Sequence, residues 1–423
     1  MNGLPPSPRA HPRPCWPEPV ELRHVADAAA LRALVDELDR AEEYAVDTEF
    51  HRERTYFARL ALLQVAWPGG VALVDPLAVD VAPFGAVLAS PRLAVVHAAD
   101  QDLEVLARAC GATPSRLFDT QLAAGFLGMS TPSLADLVER LLRLRLEKGD
   151  QLTDWTRRPL SDEQCQYAAH DVAHLLELHR VLADRLQASG RLAWAEEECA
   201  ALLQRARLLP VPEEAWWKLR QARQLRGVKR GVAQAVAAWR ERRAQALDRP
   251  VRFILSDLAL AAIAHRPPKS RADLEHVRNL DLRGLGEQVV AELLAAVDAG
   301  ARLPAAAIRL PPGPEGNSVG KPAVALALAF AGELARRLDI DPALLATRAD
   351  VVGFLQQPPE GRLTASWRHE IVGEPLARLV TGQAALVLED GALVLEERSH
   401  RLLQEPVATP APDGVTTVRR SEV

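Results

Sequence analysis

The 423 residues are 48% apolar and 25% charged with a formal net charge of −5, which points to about three domains with packed cores and excludes nucleic-acid binding through bulk charge. Any charge-driven contact must come from local clusters. Four cysteines, Cys15, Cys110, Cys165 and Cys199, form no CxxC pair, which argues against a disulfide framework or a cysteine zinc site and suits a reducing, cytoplasmic setting.

Residues 1–17 are Pro-rich, lack the apolar run of a signal peptide and read as a disordered tail. From Ala41 to Val74 the segments YAVDTEF, RLALLQVAW and GVALVDP have strand character, with PGG turning between the last two. This predicts an antiparallel meander. LAVVHAAD adds an apolar strand ending at His97, and a helix is expected from Asp102 to Ala109 with Leu103, Val105 and Leu106 buried. Ser133 with Asp136 and Ser161 with Gln164 match helix-capping patterns, and the second opens one long helix that stops at Gly190. The mixture of strands and helices predicts an α/β domain over 18–205.

Residues 211–300 read as a helical unit broken by short Gly, Pro and Ser stretches, and 301–322 as a Pro/Gly linker. A third, mainly helical unit is expected over 323–403, with Asp390-Gly391 as a hairpin turn, followed by a second disordered tail over 404–423. The apolar run AVALALAFAG from Ala323 is about half the length a membrane helix needs, so a buried helix and no membrane contact are expected.

Asp47 and Glu49 in YAVDTEF stand at i and i+2, on one strand face, where like charges repel. Asp102 opens a helix, and Tyr167 and Asp171 share one face of a later helix. Four acids from these places can converge on two divalent cations about 3.5–4 Å apart, which cancel the repulsion. Oxygen-only ligands favour Mg²⁺ or Mn²⁺.

DTEF, HAADQDLEVL and YAAHDVAHL, in this order, resemble the three exonuclease motifs of the DEDD superfamily and specifically the ribonuclease D family. LTDWTRRPLS and FDTQLAAGFLG also look like that family, and the helical unit after Pro212 is similar to an HRDC domain. The third unit resembles a second, degenerate copy. Tyr167 four positions before Asp171, with Gln166 rather than His at 166, fits the Tyr branch, and His170 departs from the small or acidic residue more common there. The resemblance implies a ribonuclease H-like exonuclease domain, a mixed sheet with flanking helices, followed by helical HRDC-type domains. It also implies two-metal hydrolysis of the terminal phosphodiester at an RNA 3′ end, releasing nucleoside 5′-monophosphates, with tRNA precursors as substrate. Asp47 would bridge both ions and Glu49 would hold the ion that carries the water. Tyr167 would orient the attacking water or the phosphate, because a phenol with a pKa near 10 is a poor base at neutral pH. The alternatives are the same chemistry on DNA, or a silent RNA-binding scaffold. A monomer is expected.

Other features carry less. His170 and His174 are spaced like a zinc pair but lack a glutamate between them and a third ligand. His97 reads as a structural hydrogen-bonding residue and Asp119 as a helix N-cap. GNSVGKP fails as a phosphate loop, because Glu315 stands where Gly is required and Pro322 where Ser or Thr is. That failure also excludes a helicase. Gln64 resembles a family position near the nucleotide, although a polar residue on an exposed strand face explains it equally well. Between Trp216 and Arg252, eleven basic residues face only Glu241 and Asp248. Of these, Lys218, Arg220, Arg223, Arg226, Lys229 and Arg230 are the expected phosphate contacts.

Overall fold

The computed structural model describes residues 22–146, 153–207, 211–220, 222–282, 285–311, 320–356 and 358–398. The two expected tails lie outside them. β1 (Leu22–Val25) and α1 (Ala28–Leu38) precede the three expected strands β2 (Glu43–His51), β3 (Arg59–Trp67) and β4 (Gly70–Val74). Asp27 starts α1 by accepting from the amides of Ala29 and Ala30. β2–β3 and β3–β4 pair antiparallel, as the expected meander requires. After α2 (Gly85–Ala89) come β5 (Leu93–Val96), α3 (Asp100–Ala109), β6 (Arg116–Asp119), α4 (Thr120–Gly125) and α5 (Leu134–Leu137). β1, β5 and β6 join as parallel neighbours, which gives a mixed sheet in the order β1-β4-β3-β2-β5-β6.

The single long helix expected to end at Gly190 is two, α6 (Asp162–Ala173) and α7 (Leu175–Ala188); it does stop at Gly190, which takes positive φ, and α8 (Leu192–Ala206) follows. Ser161 and Gln164 do form the expected capping box, and a turn at His174, φ −106° and ψ −1°, separates α6 from α7. Alternation along the strands divides the sheet faces. Tyr44, Val46, Leu63, Val65, Ala72 and Val74 pack with Leu31, Leu34, Leu103, Leu106 and Leu202 in the main core. On the opposite face Leu62 and Leu73 pack with Trp155 and Ala168, and α6 covers β2, β3 and β4. The segment leading into α6 is tied down by Arg158, whose guanidinium bonds Asp75 at 2.6 and 2.7 Å and the carbonyl of Ala61 at 2.7 Å.

The helical region belongs to the same compact unit as the sheet. It contains α9 (Val228–Leu247), α10 (Val251–Ile254), α11 (Asp257–His265), α12 (Arg271–Glu275) and α13 (Glu287–Ala301). Trp216, Val232, Val236, Leu260, Ile263, Leu293 and Val297 form its core. The expected linker is packed at its start. Gln234 donates to the Ala307 carbonyl and accepts from the Arg309 amide at 2.7 Å, while Trp216 and Trp217 donate to the Arg309 carbonyl. The rest of the expected linker falls mostly on 312–319, which lie outside the described residues. The C-terminal end of α9 holds the β2–β3 loop: Asp248 accepts from the amides of Tyr56 and Phe57, both at 3.1 Å, and the Tyr56 hydroxyl donates to Glu241 at 2.5 Å.

Among the described residues, 320–334 and 345–398 form a second compact unit. α14 (Lys321–Leu338) belongs to it as far as Leu334, whereas Ala335–Leu344 group with the first unit. The boundary expected at 323 therefore does not separate the units cleanly, because the Asp341 amide donates to the Gly125 carbonyl at 2.8 Å and Arg191 to that of Leu338 at 2.5 Å. After α15 (Pro342–Leu345), the second unit continues with α16 (Arg348–Phe354), α17 (Ser366–Arg368) and α18 (Glu374–Val380). The expected hairpin forms from β7 (Ala384–Glu389) and β8 (Ala392–Glu397). Asp390 and Gly391 both take positive φ, as a two-residue turn of this type requires. Among the described residues no helix is long and apolar enough to cross a membrane.

Candidate active site

β2 pairs with β5 only through Glu43, Tyr44 and Ala45. Beyond Ala45 the strand runs past the carboxyl end of β5, the place where open α/β sheets put their sites. Asp47 and Glu49 stand in this overhang. α3 starts against it and supplies Asp102, which is held by the Thr48 hydroxyl donating to its Oδ1. α6 brings Asp171, and the Tyr167 hydroxyl bonds that carboxylate from one turn earlier. The turn before α3 is fixed by Asp119, which accepts from the amides of Ala98 and Ala99 as well as capping α4. His97 is hydrogen-bonded to Thr120 at 2.9 Å, in keeping with a structural role.

Asp47, Glu49 and Asp171 each bring a carboxylate oxygen within 4.8 Å of the other two. Asp102 falls outside that group of three but lies close enough to act on its charges. Burial, followed by the charges of Asp102, Asp171 and Glu49, pushes the Asp47 carboxyl well above the usual range. Burial, then Asp171 and Asp102, raises Glu49 to about 8. Burial also lifts Asp171 to about 7 and Asp102 to about 6, opposed by the hydrogen bonds from Tyr167 and Thr48 respectively. A set of hard oxygen donors that repel one another fits divalent cations.

The remaining sequence candidates divide. Gln64, read as an RNA contact or an exposed polar residue, is 0% exposed. It lies opposite Asp47 in the β2–β3 ladder, under the layer made by α6, so direct contact with RNA is ruled out by burial. Neither Gln64 Nε2 nor Oε1 has a partner among the described residues, an arrangement that costs about 1–3 kcal/mol. Lys218, Arg220 and Lys229 are exposed and make no ion pair among the described residues. Arg226 is exposed and Arg230 part-buried, and both donate to the Leu225 carbonyl. The Arg223 side chain lies outside the described residues. The rest of the basic run is largely structural: Arg240 is 3% exposed and bonds Asp257, Arg242 pairs with Glu213, and Arg243 pairs with Glu292.

The roles of Thr48 and Asp119 in placing Asp102 were missed from the sequence. A hydroxyl between two strand acids, on the opposite face, is the signal that marks Thr48.

The 3′-5′ exonuclease family model matches residues 22–187, and the HRDC domain model matches residues 229–297. A ribonuclease D from Gluconacetobacter diazotrophicus is 36% identical over 398 residues, covering 92% of this chain and 98% of its own. The chain belongs to the ribonuclease D family. A second family member, from Zymomonas mobilis, is 34% identical and covers 88% of this chain and 97% of its own. The crystal structure of Escherichia coli RNase D, described as an exoribonuclease involved in structured RNA processing, matches with a TM-score of 0.75 at 30% identity. It covers 86% of this chain and 99% of that one. As a ribonuclease D family member, the chain is a 3′-5′ exoribonuclease with an HRDC domain, and its fold family uses divalent metal.

Proposed function

We propose that this exoribonuclease trims 3′-extended structured RNA, tRNA precursors among them, in the cytoplasm, with Mg²⁺ or Mn²⁺ held by Asp47, Glu49, Asp102 and Asp171. The convergence of three carboxylates within 4.8 Å at the carboxyl edge of the sheet supports this reading. When bound, two divalent cations supply Lewis acidity to the water and to the departing 3′ oxygen. The chain's own residues do the placing. Thr48 holds Asp102 by donating to its Oδ1, and Tyr167, which bonds Asp171, would stand beside the scissile phosphate of a bound RNA. A phenolic hydroxyl keeps its proton at neutral pH, so Tyr167 orients and does not act as base.

Lys218, Arg220 and Lys229 are free to neutralise phosphates of the RNA body, an interaction that carries no sequence preference. Changing all three to Ala is expected to weaken RNA binding alike for unrelated sequences and to lower the slope of log K against log salt by about one for each phosphate left without its cation. Fluorescence anisotropy over a salt series checks this, and an unchanged slope removes these residues from the interface. The functional reading is tested with a 3′-extended tRNA, an unstructured RNA and a matched DNA, each supplied with Mg²⁺ or Mn²⁺. Shortening of the RNAs that stops near the tRNA stem supports it, whereas preferential DNA hydrolysis overturns the RNA assignment.

A further inference from the structure

Gln64 occupies a place where a core strand normally carries an apolar side chain. Its same-face neighbours along β3, Leu62 and Ala66, are buried, as is Leu73 across β4. Across β2 its partner is Asp47, and directly opposed residues of an antiparallel pair share a face with Cβ atoms about 4.5–5.5 Å apart. A glutamine carboxamide reaches a carboxylate over that distance. Of its two cross-strand neighbours, Leu73 offers nothing to bond and Asp47 offers two acceptor oxygens.

A fully buried amide with both polar atoms unpaired is rarely kept in a core without a use. We propose that Gln64 is a positioning residue: its amide, unpaired in this structure, turns to donate to one oxygen of Asp47 when divalent cations load the cluster, and so leaves the other oxygen directed at them. The role rests on the cation reading of the cluster. It accounts for a polar residue buried directly across the ladder from Asp47, and it assigns Gln64 to the metal centre instead of to RNA.

The test is calorimetric titration of Mn²⁺ into the full chain, in the wild type, Gln64→Met and Gln64→Leu, with melting temperatures recorded in chelator. Both substitutions replace an unpaired amide with apolar volume, so the metal-free proteins are expected to melt at or above the wild-type temperature. Mn²⁺ affinity is expected to fall about 10- to 100-fold, the usual loss when a group that orients a metal ligand is removed. Unchanged Mn²⁺ affinity in the variants overturns the proposal, as do variants that fail to fold or that melt lower in chelator with affinity intact, since those mark a packing role. A wild-type chain that takes up no Mn²⁺ overturns the cation reading itself and Gln64's role with it.

Discussion

Asp47→Asn is expected to lower the turnover of 3′-extended RNA by about 1,000-fold or more while raising the melting temperature of the metal-free protein. The first effect follows from losing the acid that faces the other three, since metal-derived stabilisation of a transition state is worth several kcal/mol and each 1.36 kcal/mol is about tenfold in rate. The second follows from electrostatics. Burial and three neighbouring carboxylates hold the Asp47 carboxyl far above its ordinary pKa, so the folded protein resists the charge that function needs. An amide of the same shape removes that conflict. Relief of that conflict is read as a rise in melting temperature. Single-turnover hydrolysis and calorimetric melting in chelator measure the two effects. A variant that melts lower than wild type, or that turns over at near wild-type rate, contradicts the picture of a strained, cation-dependent cluster.

The metal-free protein is also expected to lose stability as pH rises from about 5 to 8. In the folded state Glu49 titrates at about 8, Asp171 at about 7 and Asp102 at about 6, whereas in the unfolded chain such groups release their protons near pH 4. The folded form therefore binds more protons across this window. Stability is fully present below the unfolded pKa values and is lost as pH passes through the folded ones. Cations reverse the trend, because they favour the ionised acids. Binding of Mn²⁺ at pH 7 should then release about one proton or more, visible as a binding enthalpy that changes with the ionisation enthalpy of the buffer. The buffer dependence should shrink as pH rises through the values of Asp102, Asp171 and Glu49. A metal-free melting temperature that is flat or rises between pH 5 and 8 contradicts the assigned environments.

The strong periodicities were legible in the sequence because they are local. The meander of β2, β3 and β4 shows as strongly apolar runs, the last two separated by a PGG turn, and Tyr167 with Asp171 needs only one helical turn to share a face. β1 and β6 escaped notice because each has four residues, too few to show alternation, and is made a strand by a parallel neighbour far away in sequence. Charge was the least legible property. The run from Trp216 to Arg252 looks uniformly basic, but whether an arginine is free depends on distant acids: Asp257 takes Arg240 and Glu292 takes Arg243. Gln64 shows the same limit, since nothing in LLQVA distinguishes a strand face open to water from one covered by a helix that begins almost a hundred residues later. The packing at the start of the expected linker was hidden for a related reason: Gln234 supplies both a donor and an acceptor to the backbone between Ala307 and Arg309, a pairing no composition reveals.

The most direct test follows a 5′-labelled, 3′-extended RNA treated with wild-type protein and with Asp47→Ala, first in chelator and then after adding Mn²⁺. Stepwise shortening from the 3′ end and release of nucleoside 5′-monophosphates are expected only for wild type and only after Mn²⁺ is added. Shortening in chelator, or equal shortening by Asp47→Ala, would contradict a cation-dependent site built on Asp47.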